Sequence, residues 1–145
     1  MKKYELTDEI IVKYGSTLHR IKALKDFGNV KTGELGGYIE SGSNLSQEGN
    51  CWVYGNARVC GNAEVCGNAR VYGDADYITI KGLGSKYRNT TIFRTKENIA
   101  VKCGCFYGTL AEFVDKVKET HGNSKFAKEY LALIDLVKIH FELEE

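Results

Sequence analysis

The chain has 145 residues, 43% hydrophobic and 27% charged, with a formal net charge of +1. That is the make-up of an ordinary globular domain and not of a strongly basic nucleic-acid binder, so no sequence-specific nucleic-acid partner is expected. Two counts stand out, 16 Gly and no Pro, against about 10 and about 7 for average usage; they exclude a disordered Pro-rich linker and point to repeated tight turns.

Met1-Lys2-Lys3-Tyr4-Glu5 leads into charged residues and not into an apolar segment. No apolar run approaches the length of about 18 residues that a membrane helix needs. The expectation is a cytoplasmic chain without a membrane partner. Five Cys occur, at 51, 60, 66, 103 and 105. An odd number without a secretory signal reads as reduced thiols. Their spacing lacks the CxxC of a zinc site, so no metal and no cofactor is expected. A redox or metal role for Cys60, Cys66, Cys103 or Cys105 stays open.

Residues 4–30 read as strands: Tyr4–Leu6, Ile10–Tyr14, a Gly15-Ser16 turn, then Thr17–Leu24. Residues 1–36 are taken as an N-terminal hairpin cap. From Gly49 the chain repeats every six residues as GNCWVY, GNARVC, GNAEVC, GNARVY and GDADYI. Weaker copies precede it at Gly37-Tyr38-Ile39 and Ser43-Asn44-Leu45, which makes about seven hexads over residues 37–80. Each hexad offers a short strand and a corner where Gly and Asn adopt positive φ at least cost. The aliphatic residue and the small residue four later, such as Val53 and Ala57, would point into a narrow prism.

This pattern resembles the hexapeptide repeat of left-handed parallel β-helices. Three hexads per coil would stack side chains about 4.8 Å apart on neighbouring coils. Tyr54 would lie over Tyr72, Arg58 over Asp76 and Trp52 over Arg70. Such ladders read either as wall stabilisation or as a flat face for a partner subunit.

Residues 81–145 read as a ββαα module. Strands are expected at Thr90–Thr95 and Ile99–Cys103. Thr109-Leu110-Ala111-Glu112 is a capping-box pattern, Gly122 ends the helix it opens, and Asn123 or Ser124 caps a second. Phe126, Tyr130, Leu133 or Ile134, Val137 and Phe141 form the second apolar stripe. The helix pair would cover the second end of the coil or join another copy. The fold class expected is therefore mainly β with C-terminal helices, a short β-helix capped at both ends. Homo-oligomerisation is expected, since short coils leave flat sides to cover.

The C-terminal half, through Gly84-Ser85, Arg88, Thr90-Thr91, Arg94-Thr95, Gly104-Cys105-Phe106-Tyr107-Gly108-Thr109, Glu112-Phe113 and Thr120-His121-Gly122, resembles a module of bacteriophage and prophage proteins. Arg20-Ile21-Lys22-Ala23-Leu24 and Leu35-Gly36-Gly37-Tyr38-Ile39-Glu40 are similar to the lead-in of those proteins. The resemblance transfers no catalytic residue.

Charge is unevenly placed. Residues 77–108 carry Lys81, Lys86, Arg88, Arg94, Lys96 and Lys102 against Glu97 alone. Gly82, Gly84 and Ser85 would let backbone approach an anion, and Tyr87, Phe93, Phe106 and Tyr107 could stack on a base. The candidate ligand-binding set is Lys81, Gly84, Ser85, Lys86, Tyr87, Arg88, Arg94 and Tyr107. The competing account is a solvated hairpin that offsets the acidic helices. None of His19, His121 and His140 falls in the hexads, where hexapeptide acyltransferases hold their base. The reading is a non-catalytic phage or prophage binding protein, an oligomer sequestering an anionic, nucleotide-like signal of host defence. A scaffold that binds a host or phage protein is the alternative, and an acyltransferase-like enzyme the second.

Overall fold

The alternating residues of the N-terminal segment form a hairpin. In the computed structural model, which describes residues 2–13 and 15–143, β1 spans Tyr4–Lys13 and pairs antiparallel with β2, Ser16–Ala23. The two short strands expected before Gly15 are one strand whose register shifts between Leu6 and Ile10. Tyr14 lies outside the described residues.

The next strand, β3 at Leu35–Ile39, pairs antiparallel with β2 and parallel with β5 at Arg58–Val59. Strand β4 at Trp52–Val53 pairs parallel with β6 at Arg70–Val71, Trp52 opposite Arg70. A single parallel bridge joins Leu45 to Val65.

The expected left-handed parallel β-helix is thereby corrected. The strands sort into separate sheets: a mixed one of order β1-β2-β3-β5, a two-stranded one of β4 and β6, and an antiparallel one further along the chain. The reason is length. Each hexad contributes two residues of strand at most, too few for a continuous parallel sheet, whereas the longer flanking strands pair antiparallel through short turns.

The hexads still do what their pattern implies locally. Val53, Ala57, Val59, Ala63, Val65, Ala69 and Val71 are all buried in one core. Gly49, Gly55, Gly61 and Gly67 open successive hexads with φ of +73°, +57°, +66° and +61°, the left-handed region that L side chains avoid. Lys3 enters this core from the N-terminus. It is 1% exposed. Its Nζ donates to the Cys51 carbonyl at 2.8 Å and sits 4.7 Å from the centroid of the Phe27 ring.

The antiparallel sheet runs β10-β9-β8-β7. Its strands are β7 at Tyr77–Leu83, β8 at Arg88–Arg94, β9 at Ile99–Cys103 and β10 at Phe106–Thr109. Helix α1 follows at Leu110–His121 and α2 at Lys125–His140. Side chains alternate across a strand, and here the two faces meet different cores. Phe93 and Ala100 join the hexad core, while Ile92 and Val101 join a second core with Phe113, Val117, Tyr130, Leu133, Ile134 and Val137 of the helices. The sheet lies against the hexad core, and the end of α2 meets the last hexad through His140 Nε2 on the Ala75 carbonyl. No described helix is long and apolar enough to cross a membrane.

The helix ends follow their sequence signals. Thr109 Oγ1 accepts from the Glu112 N–H at 3.2 Å, and Glu112 Oε1 accepts from the Thr109 N–H at 2.9 Å. Gly122 closes α1 at φ +59°. Ser124 sits at the N-cap of α2 without a side-chain cap bond.

Candidate functional site

Seven of the eight residues expected to bind a ligand lie in the β7–β8 hairpin and Tyr107 lies on β10, in differing surroundings. Lys81 lines a small hollow with Asn62, Glu64 and Asn89. Gly84 is buried, its N–H donates to Glu129 Oε1 at 3.0 Å, and the Tyr130 ring covers it. That hairpin backbone is already occupied by a carboxylate. Ser85, Lys86 and Tyr87 are exposed in the β7–β8 turn, Tyr87 at φ +53°. Arg94 is paired with Asp76 at 2.9 Å and lies over the Phe141 ring. Arg88 and Tyr107 line two different cavities.

The arginines divide into paired and unpaired. Arg20 pairs with Glu9, Arg58 with Asp74 and Arg94 with Asp76. Among the described residues, Arg70 and Arg88 have no hydrogen bond or ion pair, and each lines a cavity. A guanidinium has five donors to satisfy. Left open at a cavity wall, it is a place for an anion.

The first cavity is a polar cleft of about 570 Å³. Asn50 and Asn68, at equivalent corners three hexads apart, line it together with Arg70. The Thr95–Asn98 turn, carrying Lys96 and Glu97, also lines it, with Thr95 bridged antiparallel to Ala69. Tyr107 and Glu112 close the end near α1. The Tyr107 hydroxyl accepts from the Asn68 N–H at 3.4 Å.

The second is a mainly apolar hollow of about 160 Å³, walled by Phe106, Phe113, Val117 and Tyr130, with Arg88, Lys116, Cys105 and His121 around it. His121 is held by rings alone, 5.9 Å from Tyr130 and 5.7 Å from Phe126. Neither of its nitrogens has a hydrogen bond among the described residues. His19 and His140 differ, since each has a ring nitrogen on a backbone carbonyl, of Thr7 at 3.0 Å and Ala75 at 2.8 Å.

Sequence reasoning missed Arg70, Lys96 and the meeting of His121 with Cys105. The last pair is 16 residues apart in the sequence and is brought to one hollow by the turn from β10 into α1. Cys105 is exposed; Cys51 and Cys103 are buried, and Cys60 and Cys66 are half-buried. Burial pushes the Cys66 thiol up to about 11 and raises Cys51 and Cys60 as well. Among the described residues no group of His, Cys, Asp and Glu is arranged to hold a metal ion.

No family model matches the chain. The chain is 39% identical over 62 residues to a protein of Escherichia coli (strain K12) named uncharacterized acetyltransferase YdcK, a match covering 37% of this chain. This corrects two expectations. Nothing in the comparison carries the bacteriophage and prophage link, and the similar protein is named an acetyltransferase, which speaks against the non-catalytic reading. The match spans 19% of the length of that protein.

Proposed function

We propose that this chain is an acyltransferase-like protein that takes an acyl thioester in the hollow beside His121. The observation that carries this reading is the imidazole itself. His121 lines a cavity with both ring nitrogens uncommitted, whereas the other two histidines are tied to carbonyls. The partial similarity to a protein named an acetyltransferase supports the same chemistry.

The roles follow from the lining. Phe106, Phe113 and Val117 offer an apolar wall to the acyl group and its thioester arm. Arg88 and Lys116 lie beside them for an anionic donor such as a coenzyme A phosphate. A neutral His121 would accept the proton of an acceptor amine or hydroxyl as it attacks the thioester carbonyl. The new C–N or C–O bond forms, the C–S bond breaks, and the proton on His121 passes to the departing thiolate.

The test is thiol release from acetyl-coenzyme A in the presence of an amine or hydroxyl acceptor. His121→Gln should lower turnover by roughly 100-fold or more, as for loss of a general base, and His19→Gln should leave it unchanged. Equal turnover in His121→Gln would overturn the assignment.

A further inference from the structure

We infer that the polar cleft between the asparagine corners and the Thr95–Asn98 turn binds a sugar that carries one acidic group, a carboxylate or a phosphate. The inference does not rest on acyl transfer at His121. That hollow and this cleft involve different lining residues.

Four observations select the ligand class. The cleft holds about 570 Å³, within the range of roughly 300–1,000 Å³ typical of small-molecule sites. Its two cations, Arg70 and Lys96, have no carboxylate partner among the described residues. Two carboxylates, Glu97 and Glu112, share the wall, so the formal charges cancel. A polyphosphate would meet them unfavourably, but a singly charged molecule with hydroxyl groups would not, because carboxylates accept from hydroxyls.

The fourth observation is the pair of amides. Asn50 and Asn68 occupy equivalent corners of hexads on paired strands, as the register of Trp52 with Arg70 fixes. They stand about one strand spacing apart, roughly 4.8 Å. Neither side-chain amide has a hydrogen bond among the described residues. Each offers donors and an acceptor, and the spacing suits alternate hydroxyls of one sugar ring. Tyr107, 43% exposed, supplies aromatic surface for the ring's C–H groups.

Calorimetric titration of the full chain with glucuronate, glucose 6-phosphate and glucose tests this. One of the two charged sugars should bind one-to-one, and glucose should bind at least about tenfold more weakly, the equivalent of one lost ion contact. The better of the two charged probes identifies the acidic group. Arg70→Gln should weaken binding about tenfold or more. Lys96→Glu, on an exposed turn that leaves the fold intact, should do the same. Lys128→Gln, an exposed site on α2, should have no effect. Absence of binding by both charged sugars, equal binding of glucose, or affinity unchanged in Arg70→Gln and Lys96→Glu would each overturn the inference. The titration reads no acyl transfer, so its outcome is separate from that of the His121 assignment.

Discussion

Tyr54 and Tyr72 stack face to face across neighbouring hexad strands, with ring centroids 4.4 Å apart and planes 18° from parallel. They sit one residue beyond the paired residues Val53 and Val71, so the ladder's register sets the stack. The Tyr54 hydroxyl also donates to Asn29 Oδ1 at 2.9 Å. A double-mutant cycle with Tyr54→Leu and Tyr72→Leu, read by urea unfolding, should give a coupling of about 0.5–1.5 kcal/mol. Coupling near zero would mean the rings only fill space.

Gly67 has a stricter requirement than Gly55. All four strong corners have positive φ, but a methyl at Gly67 would also run into the Tyr107 ring, whereas Gly55 faces open space. Gly55→Ala should cost about 1–2 kcal/mol from its backbone alone. Gly67→Ala should cost more, and Tyr107→Ala should bring its cost back towards that of Gly55→Ala. Equal costs of the two glycine changes would contradict the close approach.

These corners mark how far the sequence was legible. Gly, Asn, Val and Ala at fixed spacing disclosed the corners, the buried faces and the Tyr54–Tyr72 stack, because those features are local or repeat by symmetry. The pairing of Trp52 with Arg70 followed from three hexads per coil, but the sorting of the strands into separate sheets was not legible, since it depends on strand length and on what lies either side. Arg58 meets Asp74 and not Asp76, because Asp76 is taken by Arg94 from β8. Trp52 stands beside Arg70 in the ladder as the coil spacing implies, and its ring packs edge-on against Tyr4 and Phe27. The burial of Lys3 carried no sequence signal at all. For the candidate site, summed charge over residues 77–108 pointed to a cationic stretch, but ion pairing removes Arg94 and strand direction separates Arg88 from Tyr107. The unpaired Arg70 lay in the hexads, where its role could be seen only once partners were known.

The capping box at α1 sets the floor of the cleft. Thr109→Ala removes the acceptor for the Glu112 N–H and should cost about 0.5–2 kcal/mol. Thr109→Ser should retain most of it. Thermal unfolding of the three proteins reads the difference, and equal midpoints would show that the cap contributes nothing.

Three tyrosines should make the fold alkali-sensitive. Burial pushes the hydroxyls of Tyr4, Tyr77 and Tyr130 from 10.0 up to about 12. Each is protonated in the folded chain where the unfolded chain has already ionised. Their contribution is complete below pH 10 and is lost as the pH rises towards 12. Burial lowers Lys3 from 10.5, which acts in the opposite sense: stability is regained as the pH climbs through its folded value towards 10.5. Tyrosinate absorbance during alkaline titration should show a late-ionising group of tyrosines that coincides with unfolding. Early, uniform ionisation of all tyrosines with the fold intact would contradict their burial.

The most direct test of the central claim is to locate acetyl-coenzyme A on the protein by titrating it into isotope-labelled chain and following amide and imidazole resonances. Shifts should concentrate at Cys105, Phe106, Phe113, Lys116 and His121, with the imidazole resonances of His19 and His140 unmoved and the response reduced in Arg88→Gln. Shifts that avoid the hollow, or no shifts at saturating ligand, would contradict it.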